Sequence, residues 1–192
     1  MLINDKITWF DEQQDKHREG LWGIAPAMGL EVDIGELLYS LVKATKPLCL
    51  VECGTGAFYS AAYILKGIVD NGVGFLHTFD IAESFLKQDF QDFEGKYKFH
   101  LADSLKAGAI FVDGLSGENI DFIFLDSEHT YEQVMGEFNL FFPYLSVGGL
   151  IIFHDTLHAS GAKQAVGEIS QRSDISVIRL HTPRGFDIGV KL

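Results

Sequence analysis

The stretch LCLVECGTGAFYS, residues 48–60, constrains the fold more than any other part of the chain. Leu48, Cys49, Leu50 and Val51 form an apolar run that ends in Glu52. Gly54 and Gly56 follow at once, and Ser60-Ala61-Ala62-Tyr63-Ile64-Leu65 then has helical character. The pattern predicts a strand, a glycine turn and a helix start, where backbone without Cβ atoms lets a ligand approach closely. A glutamate at the strand's carboxyl end adds fixed negative charge. That suits a ligand with a cationic group better than one with a pyrophosphate. A dinucleotide fingerprint would also need a third glycine at position 59, which is Tyr59.

Helical and strand patterns alternate along the rest of the chain. Ile34, Leu37, Leu38, Leu41 and Val42 recur at helical spacing until Pro47. Leu48–Val51 reads as the first strand, 60–69 as a helix, Val73–Phe79 as a strand ending in Asp80, and 82–93 as a helix. Tyr97–Leu101 and Ile120–Leu125 read as further strands. Residues 130–145 read as a long amphipathic helix with Val134, Phe138, Phe141, Phe142 and Leu145 inward. Gly148-Gly149 introduces a strand over Leu150–Phe153, and 160–171 reads as helix. Ser176–Leu180 and Asp187–Lys191 face each other across Thr182-Pro183-Arg184-Gly185 with no helix between them. Short apolar strands alternating with helices predict an α/β domain, a mainly parallel sheet covered on both faces. The final pair adds an antiparallel edge, for seven strands in all.

A chain of 192 residues fits one such domain, with residues 1–30 as an N-terminal helical accessory segment and 31–192 as the body. Trp9, Phe10 and Trp22 in that segment either dock it on the body or line a substrate pocket. The net charge is −12, with no Lys/Arg cluster. Nucleic-acid backbones and anionic membranes are therefore poor partners. No apolar run reaches the ~20 residues of a membrane span. Cys49 and Cys53 lie too far apart along one strand to bridge, and they read as two reduced thiols of a cytoplasmic protein.

Glu52, Asp80, Asp103, Asp126 and Asp155 each close an expected strand. In an open parallel sheet, ligands bind outside the carboxyl ends of the strands, so five acids converge on one crevice. Any single one reads equally well as a helix N-cap. Five like charges together need a cation, hydroxyl or amine to offset them. Glu52 with the glycines suits a cationic amino-acid-like group, Asp80 a ribose, and Asp103 with Ser104 an adenine amino group. Together they describe an adenosine linked to an aminocarboxylate.

With VECGTG, HTFD, ADS and IDFIFLDSEHTYE…LSVGGLIIFHDT in this order, residues 30–192 resemble the class I S-adenosylmethionine-dependent methyltransferases. Among these, the last stretch is most similar to small-molecule O-methyltransferases, including a metal-dependent branch acting on sugars and antibiotic scaffolds. The resemblance implies a Rossmann-like sheet and S-adenosylmethionine as cofactor. It also implies Glu52, Gly54 and Gly56 at the methionine part, Asp80 at the ribose, and Asp103 with Ser104 at the adenine. The acceptor would be a hydroxylated small molecule, and the class implies a homodimer. One departure stands in the glycine motif: the family often has a third glycine where this chain has Phe58. A phenyl ring there either crowds the cofactor or turns into the helix packing. If it fills the crevice, the chain is a non-catalytic methyltransferase-like binding or regulatory domain.

Asp126-Ser127-Glu128-His129 follows the fourth strand and His154-Asp155 the fifth. Neighbouring strand ends bring these groups together, and carboxylates with imidazoles suit a divalent cation, Mg²⁺ or another. By similarity to the metal-dependent branch, Asp126, Asp155 and His154 are the ligands. His154 alternatively donates a hydrogen bond without touching metal. His129 is the candidate general base, since its ordinary pKa lies near neutrality; the plainer reading is an exposed helix-capping residue.

Overall fold

The computed structural model describes residues 30–84, 91–115 and 119–192. The accessory segment, apart from Leu30, and residues 85–90 of the helix expected over 82–93 lie outside the described residues. In chain order the elements are α1 (Val32–Thr45), β1 (Cys49–Cys53), α2 (Tyr59–Asn71), β2 (Phe75–Asp80), β3 (Tyr97–Leu101) and α3 (Ser104–Asp113). Then come β4 (Ile120–Leu125), α4 (Tyr131–Phe141), a 3₁₀ turn (Phe142–Tyr144), β5 (Leu145–His154), α5 (Ser160–Ile169), β6 (Ile175–Leu180) and β7 (Phe186–Lys191).

The seven strands form one sheet in the order β3-β2-β1-β4-β5-β7-β6. β1 pairs in parallel with β2 on one side and β4 on the other. β7 is antiparallel to both β5 and β6. After β1 the chain builds outward through β2 and β3, then returns to lay β4 on the opposite flank. This reversal opens a crevice at the carboxyl ends of β1 and β4, the switch point of such a sheet.

Side chains alternate along each strand and divide the core in two. Leu50, Leu76, Phe122, Phe124 and Ile152 pack with Ile34, Leu38 and Val42 of α1 and Ala61, Ile64 and Ile68 of α2. On the other face Val51, Phe79, Ile123, Leu125, Ile151 and Phe153 pack with Val112 of α3, Val134, Phe138 and Phe141 of α4, and Ala165, Val166 and Ile169 of α5. The five residues expected on the inner face of the 130–145 segment are all buried.

The elements α4, β5 and α3 differ from the sequence expectation. Pro143 ends α4 early, because proline has no N–H to continue the helix, and the chain tightens into the 3₁₀ turn. β5 starts at Leu145, and its register against β4 shifts between the Ile120–Leu145 and Phe122–Leu150 pairs. Gly148, at φ 80°, lies inside that irregularity instead of preceding the strand. α3 was not expected at all. Asp103 caps it, its Oδ1 accepting from the N–H groups of Leu105 at 2.8 Å and Lys106 at 3.4 Å. Gly108 in its middle weakens the sequence pattern but lets the helix meet Phe141, whose Cζ would lie 2.5 Å from an added Cβ.

Candidate active site

A cavity of about 560 Å³ opens at the switch point. It is lined by the Gly54–Ala57 loop, Asp80, Asp103, Ser104, the Asp126–His129 segment, His154, Asp155 and Arg184. Four of the five acids predicted to converge do line it: Asp80, Asp103, Asp126 and Asp155.

The glycine loop is held by backbone contacts. Gly54 N donates to Phe79 O at 2.9 Å, and Gly56 N donates to Asp80 Oδ2 at 2.8 Å. Asp80 Oδ1 accepts from Ala82 N at 2.9 Å. Both carboxylate oxygens of Asp80 therefore fix the loops on either side of them while the side chain borders the cavity.

Glu52 is a correction. β1 does not stop at Val51 but continues through Cys53, so Glu52 lies inside the sheet, paired with Thr78 and Phe124. Alternation turns its side chain toward α2 and away from the cavity lining. It is fully buried; its Oε1 accepts from Ser60 Oγ at 2.6 Å and its Oε2 from Thr78 Oγ1 at 2.5 Å. It thereby ties β1 to β2 and α2. Burial pushes its carboxyl up to about 8, against the two hydroxyl contacts. An acid that holds its proton more tightly when folded stabilises the fold fully below its ordinary value of 4.5. That contribution is lost as pH rises through about 8. A Glu52→Gln protein is therefore expected to lose less stability than wild type between pH 5 and 9. The difference, on the order of a few kcal/mol at the alkaline end, is measurable by denaturant unfolding at each pH.

Phe58 also resolves. It sits at φ 72°, the left-handed conformation that glycine adopts without cost. Its ring is fully buried, edge-on to Tyr97 with centroids 5.1 Å apart, and is not part of the cavity lining. Burial of a phenyl ring holds the strained backbone, and the crevice stays open.

The Asp103–Ser104 part of the cavity lining rests on a network that the sequence did not announce. Glu137 of α4 is buried; its Oε1 accepts from Ser104 Oγ at 2.5 Å, Ser127 Oγ at 2.7 Å and Gln133 Nε2 at 3.0 Å. One carboxylate thus fixes residues from α3, from the loop after β4 and from α4 itself. Burial raises Glu137, against the pull of these donors. Its i+4 spacing from Gln133 was the available clue.

The lining also gathers imidazoles and carboxylates. His154 is buried between two acids, Nε2 being 2.8 Å from Glu31 Oε2 and Nδ1 3.0 Å from Asp126 Oδ1. Burial opposes its charge, but Asp126 and Glu31 outweigh that and push it up to about 10. Asp155, at φ 58°, is fully buried. Arg184 grips it with two bonds, Nε to Oδ1 at 2.6 Å and Nη2 to Oδ2 at 2.7 Å. His129 Nε2 lies 2.9 Å from Asp155 Oδ2 and 4.0 Å from Asp126 Oδ1. Burial would raise the Asp155 carboxyl, but His129 and Arg184 together hold it well below the usual range. The Asp155 contact raises His129, against the opposing effect of its burial. Asp126, His154 and Asp155 each offer a ligand atom within 4.8 Å of the others, as a divalent cation requires. The second carboxylate on His154 and the guanidinium on Asp155 are the kind of outer contacts that orient metal ligands, so the residues fit such an ion. Glu31 and Arg184 were not singled out from sequence: each reaches the cluster from a distant segment.

The chain matches known methyltransferases. A family model described as a methyltransferase domain matches residues 51–156, more than half of the chain. The O-methyltransferase TomG from Streptomyces achromogenes, involved in tomaymycin synthesis and solved with SAM, superposes with a TM-score of 0.76 at 14% identity, covering 100% of this chain and 99% of that one. The O-methyltransferase from Bacillus cereus, in complex with SAH, gives 0.75 at 15% identity over 100% and 93%. The SAH-bound methyltransferase PaMTH1 of Podospora anserina gives 0.74 at 16% over 99% and 89%. Among curated proteins, the uncharacterized protein R132 of Acanthamoeba polyphaga mimivirus is 44% identical over 36 residues, 19% of this chain and 16% of that protein.

Proposed function

The chain belongs to the methyltransferase-domain family, and from that premise we propose that it is an enzyme that moves the methyl group of S-adenosylmethionine to a hydroxyl of a small molecule. The single observation that carries this reading is the continuity of the cavity. Its lining takes in the glycine loop and Asp80 as well as the carboxylate–imidazole cluster, so one hollow can hold donor and acceptor together.

Asp80 suits the two ribose hydroxyls, which donate to a carboxylate. Asp103 and Ser104 border the adenine end. Gly54 and Gly56 leave room for the methionine part, and Glu52 ties β1, which leads into that loop, to β2 and α2. The cofactor supplies a sulfonium methyl whose S–C bond is exchanged for an O–C bond, with release of the hydroxyl proton. Holding the two reactants in line accounts for roughly 7–11 kcal/mol of the barrier in well-oriented systems. Asp126 lines the cavity, and its carboxylate would receive the proton. A divalent cation held by Asp126, Asp155 and His154 would lower the hydroxyl pKa when bound. The similar O-methyltransferases solved with SAM or SAH support the cofactor assignment. Strong negative charge argues against a nucleic-acid acceptor. Among the described residues no helix is long and apolar enough to cross a membrane, and thiols at Cys49 and Cys53 that form no disulfide suit a reducing, cytoplasmic setting.

The non-catalytic reading drew on Phe58, and the burial of that ring outside the cavity removes its motive. Titration calorimetry with S-adenosylmethionine and S-adenosylhomocysteine is expected to give saturable binding at one site per chain. Absence of heat and of any thermal shift with both would overturn the assignment.

A further inference from the structure

We propose that Glu137 is a positioning residue that sets the hydrogen-bond polarity of the nucleobase subsite, so that Ser104, Ser127 and Gln133 meet the ligand as acceptors and select a purine with an exocyclic amine over one with a carbonyl oxygen in its place. The inference deepens the proposed function and rests on its placing of adenine beside Asp103 and Ser104.

The available hydrogens can be counted. A serine hydroxyl has one to give and a carboxamide has two. Ser104 Oγ gives its hydrogen to Glu137 Oε1 at 2.5 Å, and Ser127 Oγ gives its own to the same oxygen at 2.7 Å. Gln133 Nε2 donates to Glu137 Oε1 at 3.0 Å and to Ser104 Oγ at 2.9 Å. A carboxylate oxygen accepts and does not donate, so the direction of each bond to it is fixed, and with it the orientation of the amide. All three bonds to Glu137 fall on Oε1, so a proton taken up at Oε2 leaves their direction unchanged.

With these hydrogens spent, the three side chains offer a ligand only oxygen lone pairs: those of two hydroxyls and one carboxamide carbonyl. Asp103 adds a carboxylate, whose Oδ1 already accepts from the N–H groups of Leu105 and Lys106. Asp103, Ser104, Ser127 and Gln133 all line the cavity. Glu137 is fully buried and does not line it, so it acts on a ligand through the groups it orients. A serine hydroxyl ordinarily rotates to suit a donor or an acceptor. Here both are held against rotation by one carboxylate, which their hydrogens in turn compensate for its burial.

Adenine's amine carries two hydrogens and suits such a set of acceptors. A 6-oxo purine turns a carbonyl oxygen toward them instead. Lone pairs then face lone pairs and the polar groups of the subsite go unmatched, which is how a hydrogen-bonding site rejects an analogue.

The test is titration calorimetry of the full chain with S-adenosylhomocysteine and S-inosylhomocysteine, which exchange that amine for a carbonyl. Wild type is expected to prefer the amine by about 100-fold or more. Glu137→Met removes the acceptor with a side chain of similar length. Both hydroxyls can then turn to donate, and the preference is expected to fall below about 10-fold. Glu137→Gln retains an oxygen that accepts in the place of Oε1 and is expected to keep most of the preference. Ser127→Ala, at a half-buried side chain in a loop, is expected to lower the preference by about 10-fold through weaker S-adenosylhomocysteine binding alone, and it decides the matter if Glu137→Met does not fold. Equal wild-type affinity for the two ligands overturns the proposal and leaves the methyltransferase reading intact. A Glu137→Met protein that loses affinity for both by one common factor, its preference kept, makes Glu137 a support of the fold only and also overturns it. An unchanged preference in Ser127→Ala does the same. Failure of wild type to bind either ligand removes the methyltransferase reading and the proposal with it.

Discussion

Gly54→Ala is expected to abolish cofactor binding and to lower the melting temperature by about 10 °C. Gly54 sits at φ 93°, and a Cβ built there would lie 2.1 Å from the carbonyl oxygen of Asp126 and 2.8 Å from Cα of Ser127. Those neighbours are backbone, so no rotamer change relieves the overlap. The loop after β1 and the loop after β4 would have to separate, breaking the bond from Gly54 N to Phe79 O as well. Backbone strain of about 1–3 kcal/mol adds to overpacking of about 1–3 kcal/mol. For a domain of this size each kcal/mol is worth about 2–4 °C. Gly56→Ala provides the contrast. Its φ is 48°, and its added Cβ meets nothing within 4 Å, so the expected cost is only about 1 kcal/mol. Thermal unfolding of the two variants side by side separates steric collision from loss of a glycine as such. Equal stability of Gly54→Ala and wild type would mean that the two loops are not packed as described.

Asp80→Ala is expected to weaken S-adenosylmethionine by roughly 100-fold or more while leaving the fold intact. A carboxylate that accepts from both ribose hydroxyls makes two charge-assisted bonds, each worth about 1.5–3 kcal/mol. The same residue tethers Gly56 N and Ala82 N, so the glycine loop would also lose its lateral support. Every 1.4 kcal/mol is about a tenfold change in affinity. Calorimetry gives the number directly, and an affinity within threefold of wild type would place the ribose elsewhere.

The fold was largely legible because its physics is local. Apolar runs of strand length, helical spacing of Ile34 to Val42, and Pro47 and Gly72 as stops are all read one segment at a time, whereas the stop at Pro143 was read through as helix. The switch point followed from the alternation of strands and helices. α3 was hidden because Gly108, which its contact with Phe141 requires, interrupts the helical pattern. The acids separated by a subtler criterion. Asp80, Asp103, Asp126 and Asp155 border the cavity, whereas Glu52 lies one residue deeper in its strand than the sequence pattern implied. In a period-two element one residue decides the face. Glu31, Arg184 and Glu137 were illegible for another reason. Glu31 meets His154 across 123 positions and Arg184 meets Asp155 across 29, and no local pattern encodes such a meeting. Phe58 shows the reverse case: a departure from a glycine pattern that the core absorbs by burying the ring.

The most direct measurement is a crystal structure of the protein grown with S-adenosylhomocysteine. The account predicts the ribose hydroxyls on Asp80, the adenine beside Asp103 and Ser104, and the sulfur facing the Asp126–His129–His154–Asp155 cluster across open space. A nucleoside bound away from Asp80, or a sulfur turned from that cluster, would contradict it.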